Sequence, residues 1–292
     1  MKHILGGIAA VLALVAAAPV VASTSWSFTT STTCTHPGCS NVASNAAVGL
    51  GTGAGTASLT AAGWSNTNGS GPNPDTYLLE TAYQTSVFGS SGLGIYNKDG
   101  CALAGAAGNC DASEQISPEH ATDNNGRYDM ILLTFSKQVS LRQVTIGWFQ
   151  TDSDISVLAF GAVGNPGNGN VLNDGSLANK SWGALSSWTA IGSYADLANN
   201  VAKDINVNKL YSSQWLIGAY NPIANPTSVG GAGLSAGNDY VKLKSFTGCV
   251  FGDTTSTGCT NPPSGQVPEP GSLALLGLAL AGMVSLRRRK KN

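Results

Sequence analysis

Charge is what this chain has least of. Only 11% of its residues are Asp, Glu, Lys or Arg, less than half of the roughly 25% usual in soluble domains. So few charges cannot dress the outer faces of a helical bundle or a coiled coil, and they exclude an acidic disordered tail. Over residues 23–267, nine Lys and Arg face fifteen Asp and Glu, a net charge of −6 that phosphate backbones repel. No nucleic-acid partner is expected. Histidine is also scarce: beyond the first few residues only His36 and His120 occur, little material for His-dependent catalysis. There is no Cys-x-x-Cys, no full EF-hand spacing, no Gly-rich calcium nonapeptide and no repeat of 20–50 residues.

What is present is organised from the ends inward. Met1-Lys2-His3 is a short basic start, and Ile4 to Ala18 is apolar or Gly throughout. That run suits the h-region of a signal peptide and is short for a membrane span. Val20 and Ala22 occupy the −3 and −1 positions, so signal peptidase is expected to cut before Ser23. Residues 1–22 are then a signal peptide, 23–260 one extracytoplasmic domain, 261–267 a linker and 268–292 a terminal segment.

The terminal segment has three parts. Val267-Pro268-Glu269-Pro270 is held extended by its prolines. Gly271 to Leu286 carries no charge and as a helix would rise roughly 24 Å, marginal for a hydrocarbon core about 30 Å thick. Arg287, Arg288, Arg289, Lys290 and Lys291 then resist translocation. The order of Pro268-Glu269-Pro270, apolar helix and basic cluster resembles the PEP-CTERM sorting signal of Gram-negative bacteria. The resemblance implies recognition by exosortase, a membrane transpeptidase-like cysteine protease. Cutting near the Pro-Glu-Pro would release or transfer the body to the cell surface, often in bacteria making exopolysaccharide.

The expected route is therefore general secretion, a transient inner-membrane anchor, then the cell surface, outer membrane or extracellular matrix. Gly92 to Asn97, Asp123 to Gly126, Leu133 to Phe135, Ile146 to Trp148 and Asp152 to Leu158 also look like the body of exosortase-dependent surface proteins.

Six cysteines follow the signal peptide: Cys34, Cys39, Cys101, Cys110, Cys249 and Cys259. An even count in an oxidising compartment points to disulfides. Of the fifteen possible connectivities, proximity favours 34–39, 101–110 and 249–259. Period-two alternation dominates the body: Ile131, Leu133 and Phe135; Val144, Ile146 and Trp148; Ile155, Val157 and Ala159; Trp215, Ile217 and Ala219; Val241 and Leu243 against Lys242 and Lys244. Short runs separated by Asn, Gly, Pro and Asp predict an all-β fold, an antiparallel jelly-roll-like β-sandwich, followed by a single C-terminal transmembrane helix. A short helix is predicted over Tyr194 to Lys203.

Candidate chemistry in the body is sparse. Gly233-Leu-Ser235-Ala-Gly237 matches the hydrolase elbow pattern but lacks a helix after it. Gly49 to Ala54 imitates a dinucleotide fingerprint without a βαβ unit. Asp123, Asp129, Asp152 and Asp154, with Asn124 and Asn125, lie at expected strand ends. Hard oxygens so spaced can hold a structural Ca²⁺ or simply cap turns; no other cofactor is expected. Glu80, Glu114 and Glu119 are the carboxylates available to a glycan hydrolase. Trp148 and Trp215 are expected in the core. Trp26, Trp64, Trp182 and Trp188 lie in polar stretches, and Trp64 and Trp188 are the candidate glycan contacts. The reading is a non-enzymatic envelope protein associated with exopolysaccharide, with a carbohydrate-binding module and a secreted glycan hydrolase as alternatives.

Overall fold

The computed structural model describes residues 24–28, 46–48, 57–69, 73–84, 91–100, 111, 114, 121–164, 175–224, 233–253 and 259. Its strands in chain order are β1 (Thr24–Ser27), β2 (Ala46–Val48), β3 (Leu59–Asn68), β4 (Leu78–Gln84), β5 (Ile95–Tyr96), β6 (Thr122–Asp123), β7 (Asp129–Thr151), β8 (Ile155–Phe160), β9 (Trp188–Tyr194), β10 (Ala202–Asp204), β11 (Ser212–Ala219) and β12 (Asp239–Val250). Every pair of these strands is antiparallel. Among the described residues, the helical turns Pro74–Thr76 and Trp182–Ala184 are three residues each. No helix among them is long and apolar enough to cross a membrane. The segments 1–22, 261–267 and 268–292, and Cys34, Cys39, Cys101 and Cys110, lie outside the described residues.

The 23 residues of β7 organise the sheet. Its first part pairs with β3 on one side, Phe135 opposite Leu59, and with β11 on the other, Leu133 opposite Trp215. Its second part pairs with β12 and β10, so that Val144 faces both Phe246 and Lys203. Ile131, Leu133 and Phe135 from the first part and Leu141, Val144 and Ile146 from the second bury into one core. The alternation read from the sequence creates that face, and each such side chain contributes about 1.5–3 kcal/mol by leaving water. β8 and β11 are buried on both faces, because a second cluster covers their outer side: Leu158 and Leu216 pack there with Trp182, Leu185 and Trp188.

Three expectations need correction. Trp148 is not a core residue. In the β7–β12 ladder Ile146 faces Leu243 and Trp148 faces Lys242, which leaves Gly147 as an extra residue. This bulge reverses the parity: Trp148 turns outward beneath the Lys242 ammonium, 5.3 Å from the ring centre, and Phe149 takes the place on the core. Conversely, Trp26, Trp182 and Trp188 are buried. The indole N–H groups of Trp26 and Trp182 donate to the carbonyls of Ala57 and Tyr128. No helix spans Tyr194 to Lys203 either. Tyr194 ends β9, Ala202 begins β10, and Asp196 and Asn200 between them have φ of 54° and 60°, a left-handed backbone that an α-helix cannot contain.

Candidate functional site

The chemistry of the body gathers where β6, β7, β8 and β12 begin or end. The turn from Asp123 to Asp129 is its pivot. The Asp123 carboxylate accepts the Asn125 N–H at 3.0 Å, Gly126 takes φ of 84°, and the Asn125 amide donates to the Tyr240 hydroxyl at 2.6 Å. The turn reverses the chain between β6 and β7 and sends two sets of carboxylates in different directions.

The first set is Glu114, Asp123 and Asp129, one oxygen from each lying within 4.8 Å of the others. Asp111 stands beside them, bonded through its carboxylate to the Asn97 amide at 3.0 Å and through its N–H to the Asp99 carbonyl at 2.8 Å. All four are almost wholly out of water: Glu114 is 1% exposed, Asp123 3%, Asp129 0% and Asp111 4%. Among the described residues no hydrogen bond is completed to either carboxylate oxygen of Glu114 or of Asp129, although the Asn97 backbone favours the charged form of Glu114. Ser65, the Asp123 backbone and Arg127 favour the charged form of Asp129 without completing a hydrogen bond to it. Burial first, then the charges of Asp123, Asp129 and Asp111, push the Glu114 carboxyl well above the ordinary range. Burial, then Asp129 and Asp111, does the same to Asp123, and burial dominates again at Asp129. Arg127, the cation of the turn, is engaged with Asp99 and the Gly126 carbonyl and lies 5.0 Å over the Tyr77 ring.

The second set is Asp152, Asp154 and Asp196, again with oxygens within 4.8 Å of one another. Here the oxygens are occupied. Asp154 accepts the N–H groups of Asp196 at 2.9 Å and Ser235 at 2.8 Å. Asp152 accepts the Ser153 N–H at 2.8 Å and the Ser235 hydroxyl at 2.6 Å. Asp239 next door accepts the Asp154 N–H at 2.7 Å and the Asn124 amide at 2.6 Å. This is a latch that ties the β7–β8 turn to the chain entering β12. Burial, then the charges of Asp154 and Asp152, nonetheless pushes the Asp239 carboxyl up to about 8.

The residues singled out in the sequence thus separate. Asp123 and Asp129 come together with Glu114 and Asp111, while Asp152 and Asp154 belong to the latch. Glu114, Asp111 and Asp239 were absent from the expected ligand set. The one available signal was density, five carboxylates within residues 111–129 of a chain poor in charge. Ser235 is a latch residue, its hydroxyl also bonded to Asn238 at 2.9 Å, and β12 rather than a helix follows it. Glu80 is paired with Lys98 at 3.2 Å and accepts the Thr67 hydroxyl. Trp188, at 7% exposure, packs on Phe160 with ring centres 5.5 Å apart and offers no open face to a sugar; Trp64 is half-buried against the same cluster. Of the disulfide expectations, Cys249–Cys259 is formed, with Cα atoms 5.2 Å apart.

These features define an antiparallel β body, disulfide-stapled near its C-terminal strand, with an acidic rim. Residues 266–290 match the family described as the PEP-CTERM protein-sorting motif. The match contains Val267, Pro268, Glu269, Pro270 and the cations Arg287 to Lys290, and stops one residue short of Lys291. The chain therefore carries a substrate signal for exosortase, which implies export and a membrane-associated C-terminal sorting segment, consistent with a cell-surface destination. No curated protein and no solved structure matches the chain.

Proposed function

We propose that this is a non-enzymatic surface protein, cut before Ser23 by signal peptidase, held transiently in the inner membrane by residues 271–286 and trimmed by exosortase near Pro268-Glu269-Pro270. Its two-layered, jelly-roll-like body is then delivered to the envelope or its exopolysaccharide matrix. The sorting motif at residues 266–290 carries this reading. The non-enzymatic part is supported by the fates of the candidate catalytic groups: Glu114 is sealed from solvent and Ser235 is bound to Asp152 and Asn238.

The test is the intact mass and membrane fraction of the native protein in strains with and without exosortase. Loss of the C-terminal mass only when exosortase is present, abolished by replacing Pro268, Glu269 and Pro270 with Ala, supports the proposal. A full-length protein in the inner membrane of both strains refutes it. Release of reducing sugars from exopolysaccharide by the purified protein would refute the non-enzymatic part alone.

A further inference from the structure

Two acidic groupings meet in this fold, and their hydrogen bonding separates them. The carboxylates of Asp152 and Asp154 are satisfied by backbone N–H groups, that of Asp196 among them, and by the Ser235 hydroxyl, while Asp196 itself is exposed. That grouping is complete as it stands. At Glu114, Asp123 and Asp129 the carboxylates are sealed from water, converge to within 4.8 Å, and leave four oxygens of Glu114 and Asp129 with no hydrogen bond. The Asn97 backbone favours the charged form of Glu114, and Ser65, the Asp123 backbone and Arg127 that of Asp129, yet none completes a hydrogen bond, and burial outweighs them. The Arg127 guanidinium is directed to Asp99 and the Gly126 carbonyl.

We propose that Glu114, Asp123 and Asp129, with Asp111 beside them, form a structural Ca²⁺ site. The donors are all hard oxygens, which excludes the soft-ligand chemistry of zinc or copper sites. Ca²⁺ binds oxygens at 2.3–2.6 Å, so two ligands of one ion can lie no more than about 5 Å apart, and the three carboxylates meet that limit. Mg²⁺ prefers strict octahedral geometry and keeps several waters, which a dry cage of this kind does not offer. The ligands come from separate parts of the chain: Asp123 is on β6, Asp129 opens β7, Asp111 bridges to Gly100, and Glu114 lies between Asp111 and β6 in sequence. The ion would clamp Asp111 and Glu114 to Asp123 and Asp129 at the edge of the sheet.

The experiment uses the full chain, purified in detergent and stripped with EGTA, titrated with CaCl₂ by calorimetry and followed by thermal unfolding. One Ca²⁺ should bind per chain, and the thermal midpoint should rise by roughly 5–10 °C at a hundredfold excess over Kd. Glu114→Gln and Asp129→Asn should lose that rise, while their calcium-free midpoints stay at or above that of stripped wild type, because neither carboxyl makes a hydrogen bond that the amide would forfeit. Asp154→Asn should unfold earlier yet still bind one Ca²⁺. A readout needing no variant is terbium emission sensitised by Tyr240, which faces Asp123 across the β6–β12 pair, and its displacement by Ca²⁺. Absence of both calcium-dependent heat and terbium emission overturns the proposal. So does preference for Mg²⁺, or unchanged binding in both Glu114→Gln and Asp129→Asn. Loss of binding in Asp154→Asn with retention in the other two overturns it as well.

Discussion

Asn124 grips Asp239 from both sides. Its amide nitrogen donates to the Asp239 carboxylate at 2.6 Å, and its carbonyl oxygen accepts the Asp239 N–H at 3.0 Å. The same side chain also donates to the Tyr220 carbonyl at 2.9 Å and accepts the Gly237 N–H at 3.0 Å. One residue of the β6–β7 turn thereby fixes the entry to β12 and the exit from β11. Asn124→Ala would strand several buried polar groups at once, at a cost of about 3–4 kcal/mol. Urea unfolding of the variant should show that loss in the midpoint; a change below about 1 kcal/mol would mean that water replaces the side chain.

Asp239 also predicts how stability depends on pH. Its carboxyl is raised to about 8 in the fold, by burial and then by Asp154 and Asp152, against about 4 when unfolded. Between those values the folded chain holds the proton and the unfolded chain has released it. Stability from this group is therefore complete below about pH 4 and declines as pH rises toward 8. Calcium-free protein should unfold at lower urea at pH 8 than at pH 5, and Asp239→Asn should narrow the gap. The opposite order in wild type would refute the assignment.

The two outward and inward tryptophans make a paired test. Trp188→Ala removes a buried indole from the outer cluster and should cost about 3–5 kcal/mol. Trp148→Ala removes only the half-buried stack under Lys242, outside the core, and should cost about 0.5–1 kcal/mol. Equal losses in chemical denaturation would contradict the bulge at Gly147.

Replacing both Cys249 and Cys259 with Ser opens a link of sequence separation 10 and should lower stability by about 2–3 kcal/mol. Wild type under reducing conditions should match the double variant in its denaturation midpoint.

Much of the sheet was readable from alternation alone, because Ile131, Leu133 and Phe135 face Leu59, Trp215 and Ile217 through undisturbed ladders. Reading failed where the ladder shifts. Gly147 adds a residue that no periodicity reports, and Trp148 changes sides. It failed again at Trp182 and Trp188, since a second covering layer over β8 and β11 depends on tertiary contacts, not on neighbours in the chain. The acidic rim was half visible. Asp123 and Asp129 are close in sequence, and a tight turn brings them together. Glu114 arrives from a different stretch, and the occupied oxygens of Asp154 are known only once Ser235 and Asp196 are in place.

β1 lies against β12, with Thr24 opposite Gly248 and Ser27 opposite Ser245. The first of the described strands thus has its partner more than two hundred residues away, and that partner is also the long neighbour of β7. In an exported chain that emerges N-terminus first, this seam would close only with β12, the last of the described strands, which ends some sixteen residues before the sorting motif begins. Because the pair is antiparallel, the start of β1 and the end of β12 leave the body side by side. A leader still uncut and a tail still embedded would moor the same corner of the molecule to one membrane.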